Sequence, residues 1–262
     1  MSKVEITFDD QVVIVTGGGS GIGKEISKGF AESNAQAVVP VSRTESNVRE
    51  VVDSIQQKGS DSLYHPADLT EKRQIRELEE NVLDEFGQID ILINCIGINI
   101  KQPILETEEE VWDKVQDINL KAVYMCCKYL GRHIIDQYED TDQFGKVVNA
   151  ASVASYQGIP TSGPYAAAKG GIFSLTKTLA LEWGPKNVSV NAIAPGFILT
   201  QMTETIRSQE EAKQRILGRI PVGRFGETPD TVGATLFLSS QHANYITGEI
   251  MWIDGGYLSS AG

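Results

Sequence analysis

The chain has 262 residues, with 23 Lys and Arg against 35 Asp and Glu, for a formal net charge of −12. That balance argues against a nucleic-acid backbone as partner, while the length allows an α/β domain with an ample buried core. Three cysteines, Cys95, Cys126 and Cys127, sit in apolar runs without metal-ligand spacing to the three histidines, so no metal and no disulfide framework is expected, and a reducing cytoplasm is.

The first ten residues hold no apolar signal core, and no run approaches the roughly 18 apolar residues of a membrane span, so no membrane association is expected. Residues 11–16 are apolar and β-branched and meet Gly17-Gly18-Gly19-Ser20-Gly21-Ile22-Gly23, after which residues 24–32 read as a helix. Glycines let a backbone turn sharply and approach a pyrophosphate, and a helix N-terminus presents unpaired N–H groups to it. The alternative is an ordinary turn with spare glycines. The next strand, residues 37–41, carries Pro40, which points to an edge or an irregularity. It ends at Ser42-Arg43, about twenty residues beyond the turn, where an acidic residue would hold the ribose 2′-hydroxyl of NAD. A small hydroxyl and a guanidinium favour the 2′-phosphate of NADP(H) over NAD(H), which is still accommodated; a solvated arginine opening the helix at 45–58 is the alternative.

Residues 62–65 read as a third strand, followed by Asp68 and Leu69, where Asp68 either accepts from an adenine amino group or caps the charged helix at 71–86. Residues 89–93 are apolar, as a strand covered on both faces should be, and run into Asn94-Cys95-Ile96-Gly97, whose glycine lets backbone approach a ligand at the sheet's carboxyl edge. Thr107 to Glu110 has the pattern of a capping box. A long amphipathic helix is expected at about 117–137, with Asn119 inside it either bending the helix, holding a water or tolerated at the surface. Residues 146–149 form a strand that leads to Ser152.

The chemistry gathers between Ser152 and Lys169. If Tyr165-Ala166-Ala167-Ala168-Lys169 is helical, the phenol and the amine leave the same face. An ammonium beside a phenol favours the phenolate, lowering a pKa of about 10 and making Tyr165 a proton donor and acceptor. Ser152 opens a loop that ends at this helix, so its hydroxyl can hold a substrate oxygen. Those three groups suit the interconversion of an alcohol and a ketone. The helix ends near Gly184-Pro185, residues 188–193 form a strand ending at Pro195-Gly196, and the polar stretch at 197–221 is expected to be a lid over bound substrate. A helix at 229–240 and a strand at 249–253 close the chain. Strands alternating with helices throughout predict a doubly wound parallel sheet of Rossmann type, helices on both faces, in a single α/β domain over 1–262.

Thr16-Gly17, Gly21-Ile22-Gly23, Asn119, Ser152, Tyr165 and Lys169, in this order and at these separations, resemble the short-chain dehydrogenase/reductase family across essentially the whole chain. Pro195-Gly196 with Thr200, Ile246-Thr247-Gly248 and Asp254-Gly255-Gly256 resemble its later motifs. The resemblance implies that Tyr165 is the general acid and base, that Lys169 lowers its pKa and binds the nicotinamide ribose, that Ser152 holds the substrate oxygen, and that Asn119 positions a water. It implies nucleotide contacts from Gly17, Gly19, Ser20, Gly21, Ile22 and Gly23, then Ser42, Arg43, Asp68, Leu69, Asn94 and Gly97. Tyr165, Lys169, Pro195, Gly196 and Thr200 complete that set. A homotetramer or homodimer, built on the helices around Asn119 and Tyr165 and on the last strand, is implied as well.

The family usually has Asn-Asn-Ala-Gly where this chain has Asn94-Cys95-Ile96-Gly97, which removes a side-chain amide and adds bulk near the adenine side of the cleft. The runs at 97–103, 152–158 and 221–226 resemble the gluconate 5-dehydrogenase group and related sugar and sugar-acid dehydrogenases. On that resemblance Lys101 and Gln157 join Ser152 and Tyr165 as substrate contacts, the alternative being solvated loop residues. A small sugar acid or polyol such as gluconate is therefore the expected substrate. A 3-oxoacyl-(acyl-carrier-protein) reductase shares the core motifs, but Glu106, Glu108, Glu109, Glu110 and Asp113 make a poor complement for an acidic carrier. A nucleotide-binding sensor or scaffold without chemistry would be expected to have lost Tyr165 or Lys169, and both are present.

Overall fold

Short β-branched runs, each buried on both sides, build the centre of the computed structural model, which describes residues 5–260; residues 1–4 and 261–262, the extremes of the expected domain and part of the N-terminal stretch without a signal core, lie outside it. Strands β1 (Val12–Thr16), β2 (Ala37–Val41), β3 (Ile91–Asn94), β4 (Gly145–Ala150), β5 (Val188–Pro195) and β6 (Ile250–Ile253) are all parallel, in the order β2-β1-β3-β4-β5-β6. The chain passes through α1 (Gly21–Glu32) after β1, α2 (Glu45–Gln56) after β2 and α3 (Lys72–Phe86) before β3. Between β3 and β4 come α4 (Glu109–Gln116) and α5 (Ala122–Tyr138), and between β4 and β5 comes α6 (Gly163–Trp183). Helices α7 (Glu204–Arg207), α8 (Glu210–Leu217) and α9 (Val232–Ser239) precede β6.

The alternation along β1 shows how the sheet is clothed: Val12 and Ile14 enter one core with residues of α3, α5 and α6, while Val13 and Val15 enter the other with residues of α1, α2 and α9. This is the doubly wound arrangement the sequence predicts. A third cluster, Val153, Phe197, Ile216, Ile220, Phe225 and Tyr257, anchors the segment around α8 against the start of the loop after β4 and the C-terminal turn. No helix among the described residues is long and apolar enough to cross a membrane.

Three local expectations need correction. Residues 62–65 are not a strand, and β2 is the edge of the sheet. The outward-facing groups of β2 include Val38, whose N–H reaches Asp61 O and whose carbonyl accepts from Ser62 Oγ at 2.6 Å, and Pro40, which has no N–H to give. A ladder started at Asp61 therefore stops before it becomes a strand. The helix expected to begin near 117 is instead one run from α4 into α5, joined by a π-helical turn at Asp117–Lys121 that contains Asn119. The capping box at 107–110 does not form: Glu108 is the N-cap without a side-chain bond, and Thr107 Oγ1 donates back to Pro103 O at 3.1 Å.

Strand order reverses between β1 and β3, which opens a crevice at their carboxyl ends, the position where open α/β sheets bind ligands. The opposite end of β1 is tied by Asp90. Its buried carboxylate accepts from Val12 N at 2.6 Å, Gln137 Nε2 at 2.5 Å and Tyr138 Oη at 2.6 Å, and burial raises its pKa despite those donors. Tyr138→Phe removes one donor to this carboxylate and leaves the ring in place. It should lower the free energy of unfolding in a urea titration by about 2 kcal/mol.

Candidate active site

A cavity of about 540 Å³ lies along the crevice, and its wall runs from the glycine turn to Tyr165 and Lys169. At the glycine turn, Gly17 has φ +71° and a Cβ there would stand 2.7 Å from Cys95 O, so only glycine lets β1 and β3 approach this closely. A Cβ at Gly19 would overlap Ser42 Oγ, and one at Gly23 would overlap Gly17 O. Ser20 is the N-cap of α1 but makes no side-chain cap bond, so the first-turn N–H groups of α1 stay available to an anion. The glycines thus let the turn pack against β3, Ser42 and its own backbone as no other residue would.

Beyond the turn, Ser42 and Arg43 leave β2 and line the same cavity. Ser42 Oγ is buried with no hydrogen-bond partner, which marks a place where a ligand oxygen belongs. Arg43 stands 3.8 Å from Asp68 in a loose, half-exposed pair, so its guanidinium is held only weakly. Asp68 does not cap α3, whose N-cap is Glu71; it accepts from Thr70 N and Oγ1 at 3.0 and 2.7 Å and still faces the cavity with Leu69.

At the other end, α6 carries Tyr165 and Lys169 on one face, with Lys169 Nζ 5.8 Å from the centre of the phenol ring. Lys169 is 4% exposed and donates to Ala150 O at 2.6 Å; burial pulls its pKa down to about 8. The phenol departs from expectation. Burial raises the Tyr165 pKa above its ordinary value, the hydrogen bond with Ser152 only partly opposes that, and the Cys95 thiol adds to it. Desolvation is the largest cause, and Lys169 is engaged with a carbonyl rather than with the phenol oxygen. Ser155 fixes the spacing of the catalytic groups: its hydroxyl accepts from Ser152 N at 3.2 Å and donates to Lys169 O at 2.8 Å. That clamp joins the loop bearing Ser152 to the helix bearing Tyr165.

Asn119 is fully buried behind this end. Its Oδ1 accepts from Ile98 N at 2.8 Å, and its Nδ2 donates to Ile98 O and Val115 O, each at 2.9 Å. It therefore pins the segment after Gly97 to the π-helical turn, and a Cβ at Gly97 would lie 2.6 Å from its Oδ1. Asn94 is buried too, donating to Asn149 Oδ1 at 2.9 Å, while Asn149 donates to Thr176 Oγ1 at 3.0 Å. This chain holds β3, β4 and α6 together without reaching the cavity wall.

Of the residues singled out from sequence, Gly17, Ser20, Gly21, Ile22, Gly23, Ser42, Arg43, Asp68, Leu69, Gly97, Ser152, Tyr165, Lys169, Pro195, Gly196 and Thr200 share the one wall. Gly19, Asn94, Asn119, Lys101 and Gln157 stand off it. Gln157 is engaged by Arg219, whose Nη2 donates to its Oε1 at 3.2 Å, in a cluster with Tyr257 Oη. Lys101 Nζ is buried with no partner. Cys95 and Ile96 both line the cavity, and the thiol is pushed up to about 11 by burial, so it stays protonated. Sequence reasoning missed Asn47, Asn99 and Gln201 on the wall; the one available signal was Asn47 in the first turn of the helix after Arg43. Among the described residues no group of three His, Cys, Asp or Glu is placed to hold a metal.

Residues 17–258 match a family model described as enoyl-(acyl carrier protein) reductase. The chain is 34% identical over 254 residues to the 2-dehydro-3-deoxy-D-gluconate 5-dehydrogenase of Pseudoalteromonas atlantica, covering 97% of this chain and 98% of that protein. It is 36% identical over 249 residues to the 3-oxoacyl-(acyl-carrier-protein) reductase of Thermotoga maritima, covering 95% and 98%. Among solved structures, a gluconate 5-dehydrogenase of Burkholderia cenocepacia, in complex with NADP and tartrate, superposes with a TM-score of 0.92 at 29% identity, covering 98% of each chain.

Burying Lys169 carries a cost in stability that can be measured. Its folded pKa of about 8 lies below its ordinary 10.5, so between those values the unfolded chain binds more protons and stability rises with pH. Lys169→Met should therefore be more stable than the wild type at pH 7, by no more than about 3 kcal/mol. In urea titrations at several pH values the gap should close as the pH approaches 10.5.

Proposed function

The chain belongs to the short-chain dehydrogenase/reductase family of oxidoreductases, and from that premise we propose that it interconverts a secondary alcohol and a ketone on a small sugar acid or polyol such as gluconate, with NADP(H) preferred over NAD(H). The observation that supports the chemistry best is the convergence of Ser152, Tyr165 and Lys169 on one wall with the glycine turn. When bound, a nicotinamide nucleotide supplies or takes up hydride. In reduction the Tyr165 phenol, kept protonated by burial, gives its proton to the substrate oxygen that Ser152 holds; in oxidation it takes the proton back. Lys169 is the group assigned to the nicotinamide ribose, and its charge stabilises the phenolate left after proton transfer. Both amide hydrogens of Asn119 are spent on Ile98 O and Val115 O, so a relay water there would have to donate to the remaining lone pair of its Oδ1.

Preference for NADP(H) is supported by the orphaned Ser42 Oγ and the loosely held Arg43, which together suit a 2′-phosphate. For a sugar acid, Lys101 is assigned to the carboxylate: its ammonium is buried without a partner, burial lowers its pKa, and it lies two residues from Asn99 on the cavity wall. Residues 197–221 act as the lid, held by the Phe197, Ile216 and Ile220 cluster; Gln157 then serves as its latch to Arg219 rather than as a substrate contact. The chain is assigned a single domain and a cytoplasmic location, which the free thiols Cys95, Cys126 and Cys127 suit. Self-association as a tetramer or dimer is supported by Trp112, Tyr124 and Leu181, exposed by 40%, 46% and 80% on the helices around Asn119 and Tyr165.

Reduction of 3-oxoacyl thioesters is the second reading, favoured by the 36% identity to the Thermotoga reductase and opposed by the exposed acidic run from Glu106 to Asp113. The sensor reading finds no support in a complete set of catalytic side chains. A panel of sugar acids, polyols and acyl thioesters, assayed with both reduced and oxidised forms of each nicotinamide nucleotide by absorbance, separates these readings. A sugar acid or polyol should turn over fastest with NADP(H), Tyr165→Phe should abolish that turnover, and Arg43→Ala should lose about tenfold in affinity for NADP(H) with NAD(H) unaffected. Preferential turnover of acyl thioesters would transfer the assignment to the second reading.

A further inference from the structure

A second open cavity, of about 360 Å³, lies at the opposite, amino-terminal edge of the sheet. Its floor includes Lys146, the second residue of β4, which is 2% exposed. The ammonium donates to Asn244 Oδ1 at 2.6 Å and stands 5.5 Å from the centre of the Phe144 ring. No carboxylate among the described residues lies within ion-pair distance of it, and burial alone pulls its pKa down to about 8. A buried ammonium with one neutral acceptor has two donor positions left and an uncompensated charge, which is an unfavourable state for a lysine. Ser239, on the same wall and 1% exposed, adds a hydroxyl with no hydrogen-bond partner. Unsatisfied donors of this kind, lining one cavity, call for an oxyanion.

The wall of the cavity carries two further charged residues of the opposite sign. Asp9 and Asp142 line it and are exposed, so the charge is positive at the floor and negative toward solvent. A carboxylate is favoured at Lys146, while additional negative charge is opposed by the two aspartates; a cationic group at the far end of the ligand is matched by them. We propose that this cavity is a binding site for a small zwitterionic carboxylate of the amino-acid class, with the carboxylate on Lys146 and Ser239 and the ammonium toward Asp9 and Asp142. None of these residues belongs to the nucleotide cavity, although β4 connects the two: Lys146 lies at its start and Ala150, the acceptor of Lys169, at its end.

Calorimetric titration of the full chain with glycine, β-alanine and 4-aminobutyrate, against acetate and inorganic phosphate, tests the assignment. At least one zwitterion should bind saturably and at least tenfold more tightly than acetate or phosphate. Lys146→Met removes the charge, and Asn244→Asp supplies an internal carboxylate to the ammonium; each should weaken that binding at least tenfold while NADPH binding stays as in the wild type. Because Asn244→Asp gives the buried charge a partner, it keeps the test decisive should Lys146→Met fail to fold. The proposal is overturned if no zwitterion saturates, if acetate or phosphate binds as tightly, or if Asn244→Asp binds the zwitterion unchanged.

Discussion

The hydrogen bond from Lys169 to Ala150 O brings a buried amine to the carboxyl end of β4, beside the turn that carries Ser152. β4 ends there, Ser152 follows two residues on, and Ser155 ties that turn back to the Lys169 carbonyl. Tyr165, one helical turn before Lys169, consequently shares the cavity wall with Ser152. Removing an amine this far from water is unfavourable, and a single carbonyl acceptor offsets only part of that. A functional group is kept here at the expense of stability, as perturbed pKa values at active sites commonly are.

The sheet supplies the rest of the frame. Its order reverses between β1 and β3, and the glycine turn that follows β1 packs directly against the backbone of Cys95 and Ile96. The nucleotide cavity is therefore bounded by backbone on the phosphate side and by side chains at both ends. At Cys95 and Ile96 the cradle is made by backbone rather than side chains: Cys95 N bonds Thr16 O, and the closest approaches to Gly17 are to backbone atoms.

Much of this was legible in sequence because it depends on neighbours in the chain. Strand, glycine turn and helix over residues 12–32, and the four-residue spacing of Tyr165 and Lys169, are local patterns and appear as expected. What escaped the sequence depends on distant partners. The strand expected at 62–65 fails because Pro40, on the neighbouring strand, has no N–H at the place where the ladder needs one. Asn119 gains its meaning from Ile98, 21 residues earlier, and Gln157 from Arg219, 62 residues later. The direction of the Tyr165 pKa was misjudged for the same reason: spacing along a helix shows that an amine is near, but only the fold shows that a carbonyl has claimed it.

The claim at the centre is that burial, with Lys169 engaged at Ala150 O, holds the Tyr165 phenol above its ordinary pKa. Carbon-13 labelling at tyrosine Cζ, with Tyr165 assigned by its loss in Tyr165→Phe, lets the phenol be titrated directly by NMR. The account predicts a midpoint above the ordinary value of 10 in the nucleotide-free protein. A nucleotide-free midpoint at or below 10 would contradict it.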